Sequence, residues 1–203
     1  MYTLYYSPGA CSMAVHVLLG ELGVDFKLEN VSTASGKNKE PAYLKINPRG
    51  QVPALVVNGN PLLEGAAILT YLCETHKSPL LPLAGWERAK AFELLCYANS
   101  SLHPTYSRMF FLRKNNAADS ELMKLTVDAI QKEWDGIEAK LEAQPYLAGK
   151  ECSIGDILVT VIANWSNDIK FGPNTKEFFQ RITSRPSYQK ALATENVQYK
   201  AAA

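Results

Sequence analysis

The sequence predicts an α/β domain followed by an all-α domain, and three observations support this fold class. The N-terminal part of the 203-residue chain carries elements in the order β-α-β-α-β-β-α. A proline-bounded segment, Ser78 to Leu83, follows, and no convincing strand comes after it. We therefore expect a mixed domain over residues 1–78, a linker over 79–85 and a helical domain over 86–203.

The first half of the mixed domain reads as strand, helix, strand. Residues 2–6 form a short apolar run typical of a strand. Residues 12–22 carry apolar side chains at helical spacing and end at Gly23, a common helix stop. Residues 26–31 alternate in polarity, which predicts a second strand.

The second half of the mixed domain reads as loop, short helix, hairpin and helix. The polar residues 32–39 predict a loop, and residues 41–46 predict a short helix. Residues 54–57 and 61–63 flank an Asn-Gly pair, which is a strong signal for a β-hairpin. Residues 65–74 place apolar side chains on one helical face.

The remaining sequence predicts helices only. Residues 86–112 form a long helical pattern with an interruption near His103-Pro104. Residues 122–141 form another, and Ser153 to Asp156 resembles a capping box that opens a strongly apolar helix. We expect that helix to be buried at the centre of the domain. Shorter helices are predicted over 176–182 and 187–193.

Composition excludes several classes of function. The formal net charge of +1 gives no reason to expect nucleic acid or an anionic membrane surface as a partner. No apolar run approaches the roughly 20 residues that span a bilayer. The N-terminus lacks the basic region of a signal peptide, so a cytoplasmic location is expected. The four cysteines show no metal-ligand spacing, and we interpret them as thiols, with no metal expected.

A proline in the strand-like run from Asn47 to Val57 is the first candidate feature of a binding site. Pro53 cannot donate a ladder hydrogen bond, and proline is therefore confined to edges, first positions and bulges of sheets. The position of Pro53 indicates that the backbone hydrogen-bonding groups of Val52 are left open, and that they pair with something other than the next strand.

Cys11 is the second candidate feature, because it follows the first predicted strand and opens the first predicted helix. Helix N-termini favour thiolates, and we expect them to lower the pKa of this thiol from its usual value of about 8.5. A buried core cysteine is the competing interpretation. No second cysteine lies within four residues, so a partner thiol must come from solution, and glutathione is the abundant candidate.

Four motifs together carry a family resemblance. They occur in the right order and at the right spacing, over nearly the whole chain. They resemble those of bacterial glutathione S-transferases of the beta class. The resemblance implies a thioredoxin-like first domain that binds glutathione, an α-helical bundle, a homodimer, and a small apolar electrophile in the cleft between domains. The motifs are Tyr5–Ser12, Asn47–Leu55, Leu63–Ile68 and Ser153–Asp156.

The resemblance assigns glutathione-binding roles within the first domain. It implies a cis Val52–Pro53 bond, with the Val52 backbone paired to the cysteinyl part of glutathione. Without the resemblance the bond is expected to be trans, because cis is the minor state of X–Pro bonds. It implies that Glu64 accepts the γ-glutamyl ammonium and that Gly65 donates a backbone N–H to the adjacent carboxylate. A simple helix-terminal acidic residue is the alternative for Glu64.

Further roles follow from the same resemblance. Cys11 and His103 are expected to act on the glutathione sulfur as catalytic and binding residues, although a structural histidine is the alternative at position 103. Lys37 is expected to reach the glycyl carboxylate. Lys39 lies in the same loop, could do the same, and stays open as the alternative.

The chain also departs from the pattern of its relatives. Pro104 follows the histidine where many relatives have a basic residue, Cys96 occupies the place of an asparagine, and Gly65 replaces a frequent serine. These changes bear on the transferase rate more than on glutathione binding. Cys96 is expected either near the cleft as a second redox-active thiol or in the core.

The electrophile site is expected between Ser100 and Phe111, with Tyr106, Phe110 and Phe111 near it. Aromatic side chains there indicate an apolar substrate, and a core role is the alternative for them.

Together, these observations and the resemblance predict that the protein is an enzyme, a glutathione transferase with a detoxifying role in the cytoplasm. It conjugates glutathione thiolate to soft, apolar electrophiles, with thiol–disulfide exchange through Cys11 as a second activity. A catalytically weak glutathione-fold binding or regulatory protein is the alternative. A monothiol reductase and a glutathione-dependent dehalogenase also stay open.

Overall fold

The computed structural model describes residues 1–202 and confirms the predicted fold class. A four-stranded mixed sheet with helices forms the first domain, and a helical bundle forms the second. The strands are β1 (Tyr2–Tyr6), β2 (Phe26–Asn30), β3 (Ala54–Val57) and β4 (Asn60–Leu63). The α-helices are α1 (Ser12–Glu21), α2 (Pro41–Leu44), α3 (Gly65–Thr75), α4 (Gly85–Tyr97), α5 (His103–Lys114), α6 (Glu121–Leu141), α7 (Ile154–Ala163), α8 (Pro173–Thr183) and α9 (Pro186–Glu195).

The sheet has the strand order β2-β1-β3-β4. Strand β1 runs parallel to β2 and antiparallel to β3, so that Leu4 lies opposite both Leu28 and Leu55. Strand β4 is an edge strand, which accommodates Pro61 without loss of a ladder hydrogen bond. Helix α1 packs against α3, and Val31, Tyr43 and Ala54 form a smaller cluster that is separate from the main core.

The predicted helix over 86–112 is divided into α4 and α5 by a π-helical turn over Ala98–Leu102. The predicted interruption is therefore confirmed, and it lies in the five residues just before His103. Pro104 explains it, because proline has no N–H for the residue four positions earlier and its ring crowds that carbonyl. The widened turn ends at His103, the first residue of α5.

Helix α7 is buried along its whole length at the centre of the second domain, as predicted. Its packing against α4 requires Gly155, since a Cβ there would lie 2.7 Å from the Leu94 Cγ and 2.9 Å from the Leu95 backbone nitrogen. The predicted capping box is also present. The buried Asp156 carboxylate accepts hydrogen bonds from the Ser153 backbone N–H at 2.8 Å and from the Leu147 N–H at 2.7 Å.

Substituting Asp156 by alanine is expected to destabilise the second domain by about 2–3 kcal/mol. The substitution removes a helix cap and leaves two buried N–H donors without an acceptor. For a chain of this length, a loss of that size lowers the melting temperature by roughly 5–10 °C. Thermal unfolding followed by circular dichroism measures the shift.

Asp128→Ala on the exposed face of α6 is the matched control, and a change within about 0.5 kcal/mol is expected for it. Equal melting temperatures for the Asp156→Ala variant and the control would show that the cap contributes little.

Candidate functional site

A polar cleft of about 520 Å³ lies between the two domains. It brings together six of the seven predicted site residues; Lys37 is the one that does not line it. The six are Cys11, Val52, Pro53, Glu64, Gly65 and His103. The remaining lining residues are Thr33, Asn38, Lys39, Asn47, Arg49, Gly50, Gln51, Leu69, Asn99 and Leu158.

Cys11 lies at the N-terminus of α1 and is partly buried at the floor of the cleft. Its Sγ is 3.4 Å from the Val52 carbonyl oxygen. Burial raises the pKa of this thiol to about 11, although the backbone N–H groups of Cys11 and Ser12 lower it. The expectation of a lowered pKa is therefore wrong, because desolvation of the thiolate outweighs the effect of the helix terminus.

The second domain holds the loop that presents Cys11. Gly9, in the left-handed region at φ +69°, donates its N–H to the Glu195 carboxylate at 2.9 Å. Its carbonyl accepts a hydrogen bond from the Trp165 indole N–H at 2.8 Å. The same buried carboxylate lies 2.8 Å from the His16 ring nitrogen Nδ1. Both polar groups of Gly9 are thus fixed by residues that are remote in sequence.

The Val52–Pro53 peptide bond is cis, as the resemblance implies. Strand β3 begins directly after it, at Ala54, as predicted. Val52 lies in the cleft outside the sheet pairing, and its backbone is available to a peptide that approaches as an added strand.

The turn that precedes Val52 is held in place by side chains from residues 38–47. Asn38 donates to the Gly50 carbonyl at 2.7 Å, and Asn47 and Tyr43 donate to the Gln51 carbonyl at 2.7 and 2.5 Å. Gly50 has a φ of +62°, and a Cβ there would lie 2.6 Å from the Asn38 carbonyl oxygen. The turn therefore requires glycine at position 50, because any side chain would displace the backbone.

Glu64 and Gly65 form the junction between β4 and α3. Glu64 has a φ of +71°, a region that non-glycine residues seldom occupy except at functional sites. Its carboxylate accepts a hydrogen bond from the Arg49 guanidinium at 2.6 Å. Gly65, as the first residue of α3, has an N–H with no acceptor inside the helix, which suits it to bind an anion.

The two lysines of the preceding loop are separated by the fold. Lys39 lines the cleft, and its ammonium donates to the Arg49 carbonyl at 3.2 Å. Lys37 lies in the same 3₁₀ turn but outside the cleft lining. Lys39 rather than Lys37 therefore lines the cleft, and the expected contact of Lys37 with the glycyl carboxylate stays a prediction.

His103 reaches the cleft from the second domain. Its ring packs edge-on against Trp165, with the centroids 4.9 Å apart. Burial lowers the pKa of His103 below its ordinary value, so the ring is neutral at pH 7. A neutral imidazole has one N–H donor and one acceptor for a ligand in the cleft.

Cys96 lies neither in the core nor in the cleft. It is exposed on α4, and Asn99, one helical turn later, lines the cleft instead. The expectation of Cys96 near the cleft is therefore wrong. All four cysteines are free thiols, as the sequence indicated.

The three aromatic residues predicted for the electrophile site have different environments. Tyr106 is buried in the core and accepts a hydrogen bond from the Trp134 indole, which supports the core alternative. Phe111 is 66% exposed. Phe110 packs against Trp165 at 6.0 Å, on the ring that also contacts His103.

The sequence missed Arg49, Asn99 and Trp165 as site residues. Arg49 sits inside the proline turn that the sequence singled out, which could have drawn attention to it. Asn99 and Trp165 carry no local signal, because the π-helical turn and the end of α7 place them.

Within residues 1–202 no helix is long and apolar enough to cross a membrane. The same part of the chain contains no cluster of three or more histidine, cysteine or acidic residues arranged to hold a metal ion.

The fold and the cleft define a thioredoxin-like domain joined to a helical domain, with a thiol beside an open backbone edge. Family models agree with this class of protein: the glutathione S-transferase N-terminal domain matches residues 1–74, and the C-terminal domain matches residues 97–186. Glutathione S-transferase GstA of Escherichia coli O157:H7 is 32% identical over 96% of this chain and 99% of its own length. The chain belongs to the glutathione S-transferase family.

Other relatives and solved structures extend the comparison. A disulfide-bond oxidoreductase of Escherichia coli K12, YfcG, is 29% identical over 95% of this chain and 94% of its own length. A glutathione transferase from Methylococcus capsulatus superposes with a TM-score of 0.84 at 32% identity, covering 97% of this chain and 99% of that one. A sphingomonad glutathione S-transferase complexed with glutathione superposes at 0.83 and 28% identity, covering 97% and 100%.

Alkylation should distinguish the buried thiol of Cys11 from the exposed thiol of Cys96. With a pKa of about 11, only about one Cys11 thiol in ten thousand is ionised at pH 7, and the thiolate is the reacting form. Iodoacetamide at pH 7 is therefore expected to label Cys96 well before Cys11, as measured by peptide mass spectrometry. Cys96→Ser removes the fast site as a control, and faster labelling of Cys11 would contradict the raised pKa.

Proposed function

We propose that this protein is a glutathione transferase that conjugates glutathione thiolate to soft, apolar electrophiles. The observation that carries the proposal is the placement of the Cys11 thiol 3.4 Å from the Val52 carbonyl, in a cleft between domains. A cysteinyl peptide that pairs with the Val52 backbone brings its own sulfur close to Cys11 and His103.

Each functional group of glutathione has a partner in this arrangement. The Val52 backbone pairs with the cysteinyl residue, in the manner of an added strand. The Glu64 carboxylate binds the γ-glutamyl ammonium, and the Gly65 N–H binds a carboxylate. Lys39, which lines the cleft, binds the glycyl carboxylate in place of Lys37.

The chemistry follows from the protonation states of the cleft residues. At neutral pH Cys11 is protonated, so its S–H donates a hydrogen bond to the glutathione thiolate and stabilises it. The neutral His103 ring, which lines the same cleft, supplies a second donor. The glutathione thiol gives its proton to solvent, and the thiolate attacks the electrophilic carbon of a substrate beside Phe110 and Trp165. The new C–S bond replaces the bond to the leaving group, which departs with its electron pair, as halide does from an aryl halide.

Thiol–disulfide exchange is the second activity that we propose. The name of the related disulfide-bond oxidoreductase supports it. The Cys11 thiolate attacks the glutathione sulfur of a mixed disulfide between glutathione and a second thiol, forms a disulfide with glutathione and releases the second thiol. A glutathione thiolate then attacks this disulfide, restores the Cys11 thiolate and leaves as glutathione disulfide. Deprotonation of Cys11 limits this reaction at neutral pH, because its pKa is raised.

The proposal extends to the organisation of the protein. We assign residues 1–78 to glutathione binding, 79–85 to a linker and 86–203 to electrophile binding, a division supported by the two family-model matches. A beta-class homodimer with a detoxifying role in the cytoplasm follows from the sequence resemblance.

Glutathione binding tests the site directly. Titration calorimetry is expected to give micromolar to low-millimolar binding to the wild-type protein. Glu64→Gln should weaken binding about tenfold or more, because a charge-assisted hydrogen bond is lost.

Glu121→Gln, at an exposed site on α6, is the matched control for the Glu64 substitution. Unchanged affinity in Glu64→Gln would remove Glu64 from the site. Absence of wild-type binding would overturn the proposed function.

Substitution of Cys11 by alanine should separate the two activities. Disulfide exchange requires the sulfur as a nucleophile and is expected to fall at least a hundredfold. Conjugation loses only one hydrogen-bond donor and should fall about tenfold. Rates with an aryl halide and with a mixed disulfide of glutathione measure the two activities, and Cys96→Ser is the control.

Equal losses in a Cys11→Ala variant that still binds glutathione would contradict this division of roles. Glutathione binding without turnover of several electrophiles by the wild-type protein would instead favour the binding or regulatory alternative.

A further inference from the structure

The charged side chains of the cleft equal the charged groups of glutathione in number and are opposite to them in sign. Three charged side chains line the cleft among the described residues: Lys39, Arg49 and Glu64. Glutathione carries two carboxylates and one ammonium. The proposed function uses Lys39 for one carboxylate and Glu64 for the ammonium, which leaves one ligand carboxylate and one protein cation, Arg49.

The position of Arg49 identifies which carboxylate remains for it. Its guanidinium nitrogen lies 2.6 Å from the Glu64 carboxylate. In a γ-glutamyl group the ammonium and the α-carboxylate are attached to the same carbon. A ligand ammonium bound by Glu64 therefore brings the α-carboxylate to the neighbourhood of Arg49.

The Arg49–Glu64 ion pair can be exchanged at low cost. The two side chains are 53% and 58% exposed, and ion pairs at such exposure contribute about 0–1 kcal/mol. A ligand that carries both charges replaces one internal pair with two external pairs. Arg49 and Glu64 therefore each have a partner of opposite charge both before and after the ligand binds.

Gly65 cannot by itself provide a full partner for the α-carboxylate. It offers one backbone N–H and no side-chain donor, whereas a carboxylate accepts several hydrogen bonds. A guanidinium supplies two parallel donors in a planar fork that fits a carboxylate.

We propose that Arg49 binds the γ-glutamyl α-carboxylate of glutathione after its ion pair with Glu64 opens. The inference rests on the proposed function and adds a specificity-determining residue to it. Arg49 makes the cleft selective for γ-glutamyl peptides with a free α-carboxylate. Lys39 serves the glycyl end.

Calorimetric titration with two ligands tests the assignment. One ligand is glutathione, and the other is glutathione with its γ-glutamyl α-carboxylate converted to a carboxamide. Titrations at about pH 6 keep the α-amino group protonated, since its pKa is about 7.7–8.0 in peptides. The proteins are the wild type, Arg49→Gln, Arg49→Lys and Lys39→Gln.

The wild-type protein is expected to bind glutathione at least tenfold more tightly than the amide. Arg49→Gln should reduce this preference to less than about threefold, while Lys39→Gln retains it. Arg49→Lys should keep an intermediate preference, because a point charge replaces the fork. Arg49 is exposed, so the fold is expected to survive its substitution, and thermal unfolding verifies this.

If Arg49→Gln kept the full preference for glutathione over the amide, the assignment of Arg49 would be overturned. Glutathione binding and the proposed function would still stand. Loss of the preference in Lys39→Gln but not in Arg49→Gln would show that the two cations have exchanged roles, which also overturns it. Failure of the wild-type protein to bind either ligand would instead overturn the proposed function.

Discussion

The geometry of the cleft depends on the buried Glu195 carboxylate at the end of α9. A buried carboxylate is costly unless its oxygens are satisfied, and here one accepts the Gly9 N–H and the other lies against His16. Gly9 comes two residues before Cys11. The last helix of the second domain therefore fixes the loop that places the thiol of the first domain.

Trp165 extends this connection across the cleft. Its indole N–H binds the Gly9 carbonyl, and its ring contacts His103 and Phe110. One side chain thus touches the loop before the thiol, the histidine from α5 and the aromatic residue beside the proposed electrophile. The two sides of the cleft are held in a common frame, which suits a reaction between two bound substrates.

The environment of Cys11 defines its chemical role. Burial beside the Val52 carbonyl raises the pKa of the thiol to about 11 and keeps it protonated at neutral pH. A protonated thiol is a hydrogen-bond donor, and a donor stabilises a thiolate brought by a ligand. Conjugation with glutathione thus fits the resting state of the site better than attack by Cys11 itself, which first needs a proton to leave.

Periodicity and turn chemistry in the sequence by themselves determined the two-domain order, the strand-helix succession, the central helix α7 and its capping box. These features are encoded locally, by apolar spacing and by residues such as Gly23, Asn58 and Ser153. The motifs also located the thiol and the proline turn. Only the tertiary structure decided which further side chains surround the site. Arg49 and Asn99 line the cleft through the turn and the π-helical segment, and Trp165 contacts His103 through the packing at the end of α7. The same holds for the pKa of Cys11: the helix terminus is visible in the sequence, but the desolvation that outweighs it arises only when the second domain and the Val52 turn cover the thiol.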